Sequence, residues 1–190
     1  AASSATDVTT TIKNPIQRGN ITITDSSEEG FAAGVQVGGI AGYLAMGSIT
    51  NDSTERGTVS GNISVTIKKI AGLPYIAGIV GSNEGLSEIS DIKVISTTTN
   101  PSSITANIGT VGSNRYFAGL VGYNLSATAY SNLSNAAPTT ATLETCSNGT
   151  YISGCFGRLE NADIEVNNCS NSGDVTLTAK ENKGVPYFGG

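Results

Sequence analysis

Apolar and hydroxyl residues alternate in five stretches along the chain: Ile21-Thr22-Ile23-Thr24, Ile63-Ser64-Val65-Thr66-Ile67, Ile104-Thr105-Ala106-Asn107-Ile108, Thr139-Thr140-Ala141-Thr142-Leu143 and Val175-Thr176-Leu177-Thr178-Ala179. A period of two marks a β-strand with one dry face and one wet face. Fifteen residues after the start of each stretch, or 18 in the first case, comes a glycine-framed apolar pair: Gly39-Ile40-Ala41-Gly42, Gly78-Ile79-Val80-Gly81, Gly119-Leu120-Val121-Gly122 and Gly154-Cys155-Phe156-Gly157. An apolar approach precedes it in Pro74-Tyr75-Ile76-Ala77, Arg115-Tyr116-Phe117-Ala118 and Tyr151-Ile152-Ser153, and Pro186-Tyr187-Phe188-Gly189-Gly190 opens a fifth copy. The first glycines are 39, 41, 35 and 36 residues apart. A weaker element lies between: Ser48-Ile49-Thr50, Glu88-Ile89-Ser90, Asn132-Leu133-Ser134 and Asp163-Ile164-Glu165.

Turn formers such as Asn148-Gly149 and Ser172-Gly173 separate these elements, and no window holds helical periodicity over three turns. Repeated units that cannot bury their own apolar side stack on their neighbours and share one core. The pattern therefore predicts an all-β fold, a parallel β-solenoid of about four and a half repeats of 35–41 residues, three short strands to a repeat. The handedness of parallel crossovers predicts a right-handed coil. Each repeat is expected to wind as two narrow coils of about 19–20 residues. One domain covers 1–190, with an N-terminal strand region at 1–34, repeats at about 35–73, 74–114, 115–150 and 151–185, and a further repeat begun at 186–190. That last fragment carries the expectation that the chain is part of a longer protein or is covered by a partner at its end.

The four glycine-framed clusters resemble the GLUG motif, Gly-Leu-hydrophobic-Gly, most closely in Gly119-Leu120-Val121-Gly122-Tyr123-Asn124. The run Asn168-Cys169-Ser170-Asn171-Ser172-Gly173-Asp174-Val175 is similar to a segment that follows such motifs. The resemblance spans roughly residues 35–190; Cys155 in place of Leu and the short third repeat depart from it. It implies a β-solenoid of a secreted or surface protein, with a scaffold or adhesive role.

Composition narrows the function. Only 13% of residues are charged, the net charge is −5 and basic residues are scattered, which argues against nucleic acid and anionic membrane as partners. No apolar run reaches membrane-span length. The chain has no histidine, so a Ser-His-Asp triad, a Cys-His pair and histidine metal sites are all excluded. The acids are sparse; Asp163 and Glu165 share a strand face without repeated basic neighbours. Catalytic residues, metal ligands and cofactors are therefore expected to be absent, and the chain is read as a non-enzyme.

Several candidate sites are of other kinds. N-glycosylation sequons stand at Asn20, Asn51, Asn62, Asn124, Asn132, Asn148 and Asn168. Cys146, Cys155 and Cys169 are odd in number, so one internal disulfide at most can form; Cys155–Cys169 is the first choice, with buried free thiols the alternative. Tyr43, Tyr123 and Tyr130 are candidate ligand contacts, the last in an expected loop at 127–138. The outward threonines read as the wet face of a sheet. The expected function is an extracellular or cell-surface structural protein, a repeat segment of a fibre, filament, stalk or coat that associates with copies of itself or adjacent repeats and carries glycans. The alternative is an adhesin segment binding host glycan or protein.

Overall fold

The computed structural model describes residues 10–190 apart from 86, 127–128, 147 and 161–162. The chain winds as a parallel β-solenoid whose coils present five sheets in turn, here called A to E. Sheet A stacks Thr10–Lys13, Gly47–Thr50, Ser87–Ser90, Ala129–Ser131 and Glu165–Asn167; sheet B stacks Ile16–Gln17, Gly57–Val59, Ile92–Val94, Ser134–Asn135 and Ser170–Asn171. Sheet C holds the longest strands, Ile21–Asp25, Ile63–Ile70, Ile104–Val111, Thr139–Cys146 and Val175–Asn182. Sheet D holds Val35–Gly38, Pro74–Ala77, Arg115–Ala118, Thr150–Ser153 and Pro186–Gly189, and sheet E holds Ala41–Leu44, Val80–Asn83, Val121–Asn124 and Phe156–Leu159. Coils are numbered one to five from their sheet A strand. No helix occurs among the described residues.

Each sequence repeat is one wide coil, not two narrow ones. Ile63 pairs with Ile104, and Ile104 with Thr139, so one repeat advances the chain by a single strand spacing. It also contains five straight segments rather than three. The strands of sheet B are only two or three residues long and those of sheet E begin inside the glycine cluster, so neither carries a period-two signal. The weak middle element is displaced too. Ile49 and Ile89 stack on Tyr130 and Val166, not on Leu133 and Ile164.

The coil itself is nearly constant, and loops account for the varying repeat. Between sheets A and B, coils three, four and five turn at a single left-handed residue flanking each strand end: Asp91, Asn132 and Asn168, with φ of 57°, 53° and 52°. Asn and Asp tolerate that conformation better than other non-glycine residues. Coil two replaces this corner with a loop at 51–56, and coil three carries a loop at 95–103 between sheets B and C. Connections from sheet C to sheet D after coil one are always three residues long.

Inward columns of like residues form the core. One is Val37, Ile76, Phe117, Ile152 and Phe188 on sheet D; another is Ile67, Ile108, Leu143 and Ala179 on sheet C. Ile76, Ile79, Ile89, Ile92 and Leu120 have no exposed surface, and full burial of such a side chain contributes about 1.5–3 kcal/mol.

The glycine-framed pair is the bend between sheets D and E. Across the coil, a Cβ on Gly39 would lie 2.5 Å from Val59 Cγ1, and one on Gly78 2.9 Å from Val94 Cγ2. In the next two coils the same space is filled by Asn135 and Asn171, which a Cβ on Gly119 or Gly154 would overlap. The second glycine makes room on sheet E: a Cβ on Gly81 would sit 2.6 Å from Gly42 O, and one on Gly122 2.5 Å from Gly81 O. The apolar pair between them fills the corner of the core.

Candidate functional site

Three sets of side chains run in register along the solenoid, one on an open face, one in a crease and one inside. The open face is the outer side of sheet C, hollowed where Asp25, Thr66, Lys68, Asn107, Thr142 and Glu144 line a cavity. Its first column is Thr22, Ser64, Thr105, Thr140 and Thr176, and its second Thr24, Thr66, Asn107, Thr142 and Thr178. All are exposed or half-buried. Asn107 donates to Thr66 Oγ1 at 3.4 Å, within the second column. Beside these columns lie charges: Lys68 pairs with Glu28 of the preceding coil, and Lys180 with Glu144 at 2.8 Å.

The crease is formed where sheet E folds back beside sheet D, and tyrosines line it. Tyr75, Tyr116, Tyr151 and Tyr187 occupy one column of sheet D, with ring centroids 5.2, 4.9 and 4.5 Å apart and ring planes within 15°. Tyr123 of sheet E lies 5.2 Å from the rings of both Tyr75 and Tyr116. Arg158 caps the strip: its guanidinium stands 5.5 Å above Tyr151, donates to Tyr116 Oη at 3.3 Å and pairs with Glu160 at 2.6 Å. Tyr123 donates to Glu160 at 2.8 Å and Tyr43 to Glu84 at 3.3 Å. Burial pushes the Tyr75 phenol up to about 12. Tyr123 is raised by burial and by its bond to Glu160, and Tyr151 by burial. The strip is thus a packed ladder of stacked rings. Tyr43 stands apart from it on sheet E and is 47% exposed, and Tyr187 of the last coil is 48% exposed.

Inside, Tyr130 projects into the core from sheet A and is not a surface contact. Its hydroxyl accepts from Asn83 Nδ2 at 2.9 Å and donates to Asn124 Oδ1 at 2.8 Å. Both asparagines, like Tyr130, have no exposed surface, and burial pushes the phenol well above its ordinary range. The segment expected as a loop contains strands Ala129–Ser131 and Ser134–Asn135; residues 127 and 128 lie outside the described residues. A second internal pair is Asn135 and Asn171: Asn135 donates to Asn171 Oδ1 at 2.8 Å, and each also closes a turn, at Ala137 and at Gly173. Sequence reasoning missed both sets. The one available signal was the repetition of Asn three residues after a left-handed Asn in Asn132-Leu-Ser-Asn135 and Asn168-Cys-Ser-Asn171.

The seven sequons fall into different environments. Asn124 is sealed in the core, where no glycan fits, which removes it from the expected set. Asn168 donates to Asn132 Oδ1 at 2.8 Å and Asn132 to Asp91 Oδ1 at 3.0 Å, an external ladder along the A–B corner. Asn148 donates to Gly112 O at 3.1 Å, and Asn51 to Ser53 O at 3.3 Å within the 51–56 loop. In these four the amide nitrogen that would carry a glycan is already used by the fold. Asn20 and Asn62 are exposed and bond through their side-chain oxygens, to Asn62 N at 2.9 Å and Ser103 Oγ at 3.0 Å.

Cys155 and Cys169 are free thiols here, not a disulfide. Cys155 continues the Ile79–Leu120 column at the D–E bend, whereas Cys169 follows Asn168 at the A–B corner. Both pack on the core, and burial raises both thiols. The side chain of Cys146 lies outside the described residues. Asp163 and Glu165 are exposed. No helix among the described residues is long and apolar enough to cross a membrane. No protein-family model matches the chain, and no curated protein or solved structure matches it significantly.

Proposed function

We propose that this chain is a non-catalytic structural element: a rod-forming repeat segment of an extracellular or cell-surface fibre, filament, stalk or coat, of the kind its GLUG-like clusters resemble. The observation that carries the reading is the shared register of all five sheets. The hydroxyl columns run through all five coils, the Tyr column through coils two to five and the A–B corner ladder through coils three to five, so side chains of successive coils stack on one another outside and inside. An architecture of this kind converts chain length into axial length, because each unit touches only its neighbours. Glycans at Asn20 and Asn62 would coat one flank. Electron microscopy of the native material tests the proposal. Filaments or rods with an axial repeat matching coils about 4.8 Å apart support it; compact particles overturn it.

A second reading rests on the tyrosine strip. Exposed Tyr43 with Glu84, and half-buried Tyr123 with Glu160 and Arg158, offer an aromatic and polar surface suited to a glycan or protein ligand. In that case the chain is an adhesin segment, and saturable glycan-array binding lost in Tyr43→Ala and Tyr123→Ala distinguishes it.

A further inference from the structure

We propose that Tyr151 and Tyr187 form an oxidative cross-linking site, at which hydrogen peroxide acting through a haem peroxidase joins the two rings carbon to carbon and staples coil four to coil five. The rings of the sheet D column are not equally spaced. Their centroids stand 5.2 Å apart for Tyr75 and Tyr116, 4.9 Å for Tyr116 and Tyr151, and 4.5 Å for Tyr151 and Tyr187. Sheet E accounts for the difference. Tyr123 leans on both Tyr75 and Tyr116, and Arg158 donates to the Tyr116 hydroxyl while its guanidinium covers Tyr151. These side chains hold the first two pairs apart, whereas the last pair closes up with ring planes 7° apart.

Solvent reaches the same pair. Tyr75 and Tyr116 are buried, Tyr151 is half-buried and Tyr187 is exposed. Strand register fixes the approach of the two rings. Thr150–Ser153 and Pro186–Gly189 are parallel neighbours with Tyr151 opposite Tyr187, so like ring atoms lie about one strand spacing apart. The carbons ortho to the hydroxyls, which carry much of the unpaired spin of a phenoxyl radical, are then neighbours.

The chemistry balances as follows. Each ring gives up one electron and its phenolic proton and becomes a phenoxyl radical. The two radicals pair their electrons in a new bond between ortho carbons. The hydrogen on each of those carbons then moves to the ring oxygen and restores the hydroxyl. Two electrons and two protons leave in all, and hydrogen peroxide takes them up to become two waters. Radicals on separate chains must meet by diffusion; two rings already held face to face couple within one molecule. The product ties residues 36 positions apart. A cross-link of that span restricts the unfolded chain and so strengthens the stack of one coil on the next. This modification goes beyond the rod and adhesin readings and depends on neither.

Treating the whole chain with a haem peroxidase and dilute hydrogen peroxide tests it, in the parent and in Tyr187→Phe and Tyr43→Phe. Tyr43 is about as exposed as Tyr187 but lies outside the column, so it separates stacking from exposure. The parent is expected to stay monomeric and to yield the peptides holding Tyr151 and Tyr187 joined with the loss of two hydrogens, read by mass spectrometry. Dityrosine fluorescence and a raised urea midpoint should accompany the link. Tyr187→Phe, folded as shown by an unchanged circular dichroism spectrum, should lose the link and both signals, and Tyr43→Phe should keep them. A parent that forms no such link, or is joined mainly through Tyr43 or between chains, overturns the site. A link that leaves the urea midpoint unmoved overturns the staple.

Discussion

Asn135 fills the space that a side chain on Gly119 would need. The amide reaches across the coil from sheet B, bonds Asn171 of the next coil and closes the turn at Ala137. The glycine-framed signature is thus a packing requirement: the wall opposite the D–E bend comes too close for a Cβ. Gly119→Ala should destabilise the chain by about 1–3 kcal/mol through overpacking. Gly19→Ala, where an added Cβ meets nothing within 4 Å, should be near neutral. Urea unfolding of the two variants checks the contrast.

The Tyr130 hydroxyl joins Asn83 to Asn124 in the core. Removing it leaves a buried donor and a buried acceptor each one partner poorer, so Tyr130→Phe should cost about 1–3 kcal/mol. Tyr123→Phe breaks only a half-buried bond to Glu160 and should cost less. Thermal melts of both, read by circular dichroism, rank them.

Buried tyrosines make stability fall in alkali. The Tyr75 phenol titrates near 12 in the folded chain against 10 in an ordinary setting, so between those values the unfolded chain holds fewer protons. Stability is therefore full below about pH 10 and is lost as pH rises towards 12. Tyr130 and Tyr123, both raised, act in the same direction. Melting temperature across this window should drop together with the appearance of tyrosinate absorbance. Tyr75→Phe should flatten the slope.

The loop at 95–103 is an insertion on an otherwise constant coil. Its ends are pinned by Ser96 and Ser102, whose groups bond at 3.0 and 3.1 Å, and Ser102 Oγ accepts from Gly61 N at 2.8 Å. Replacing Thr97–Pro101 with one glycine keeps these bonds. It should change stability by less than about 1 kcal/mol, since closure entropy varies slowly with loop length. Urea unfolding measures it.

Secretion of the chain from a eukaryotic host offers a check on the surface. Asn20 and Asn62 are expected to carry N-glycans in the folded fraction, and Asn124, with no exposed surface, none. Glycopeptide mass spectrometry reads occupancy site by site; a modified Asn124 in folded protein would contradict the packing described here.

Much of this architecture is written locally. Alternating Ile-Thr and Val-Thr stretches can only be half-wet strands, and their return with the glycine clusters demands stacking, so the parallel solenoid and the threonine columns were legible from residue order alone. The width of the coil was not. A repeat near 39 residues suits one wide turn or two narrow ones, and the strands that decide it, such as Ile16–Gln17 and Ser170–Asn171, are too short to show a period. Nor does order along the chain say which polar residues turn inward. Tyr130 and Asn124 read as surface residues, yet the sheet A strand and the end of the sheet E strand point both at one internal position, where each satisfies the other. Cys155 and Cys169 stand as free thiols packed on the core, one of the two states that residue order left open. Periodicity is a property of single strands and survives in sequence. Coil width and the side-chain columns arise between residues one coil apart, and inward bonding joins residues as distant as Asn83 and Tyr130, so only the stacking of one coil on the next brings them together.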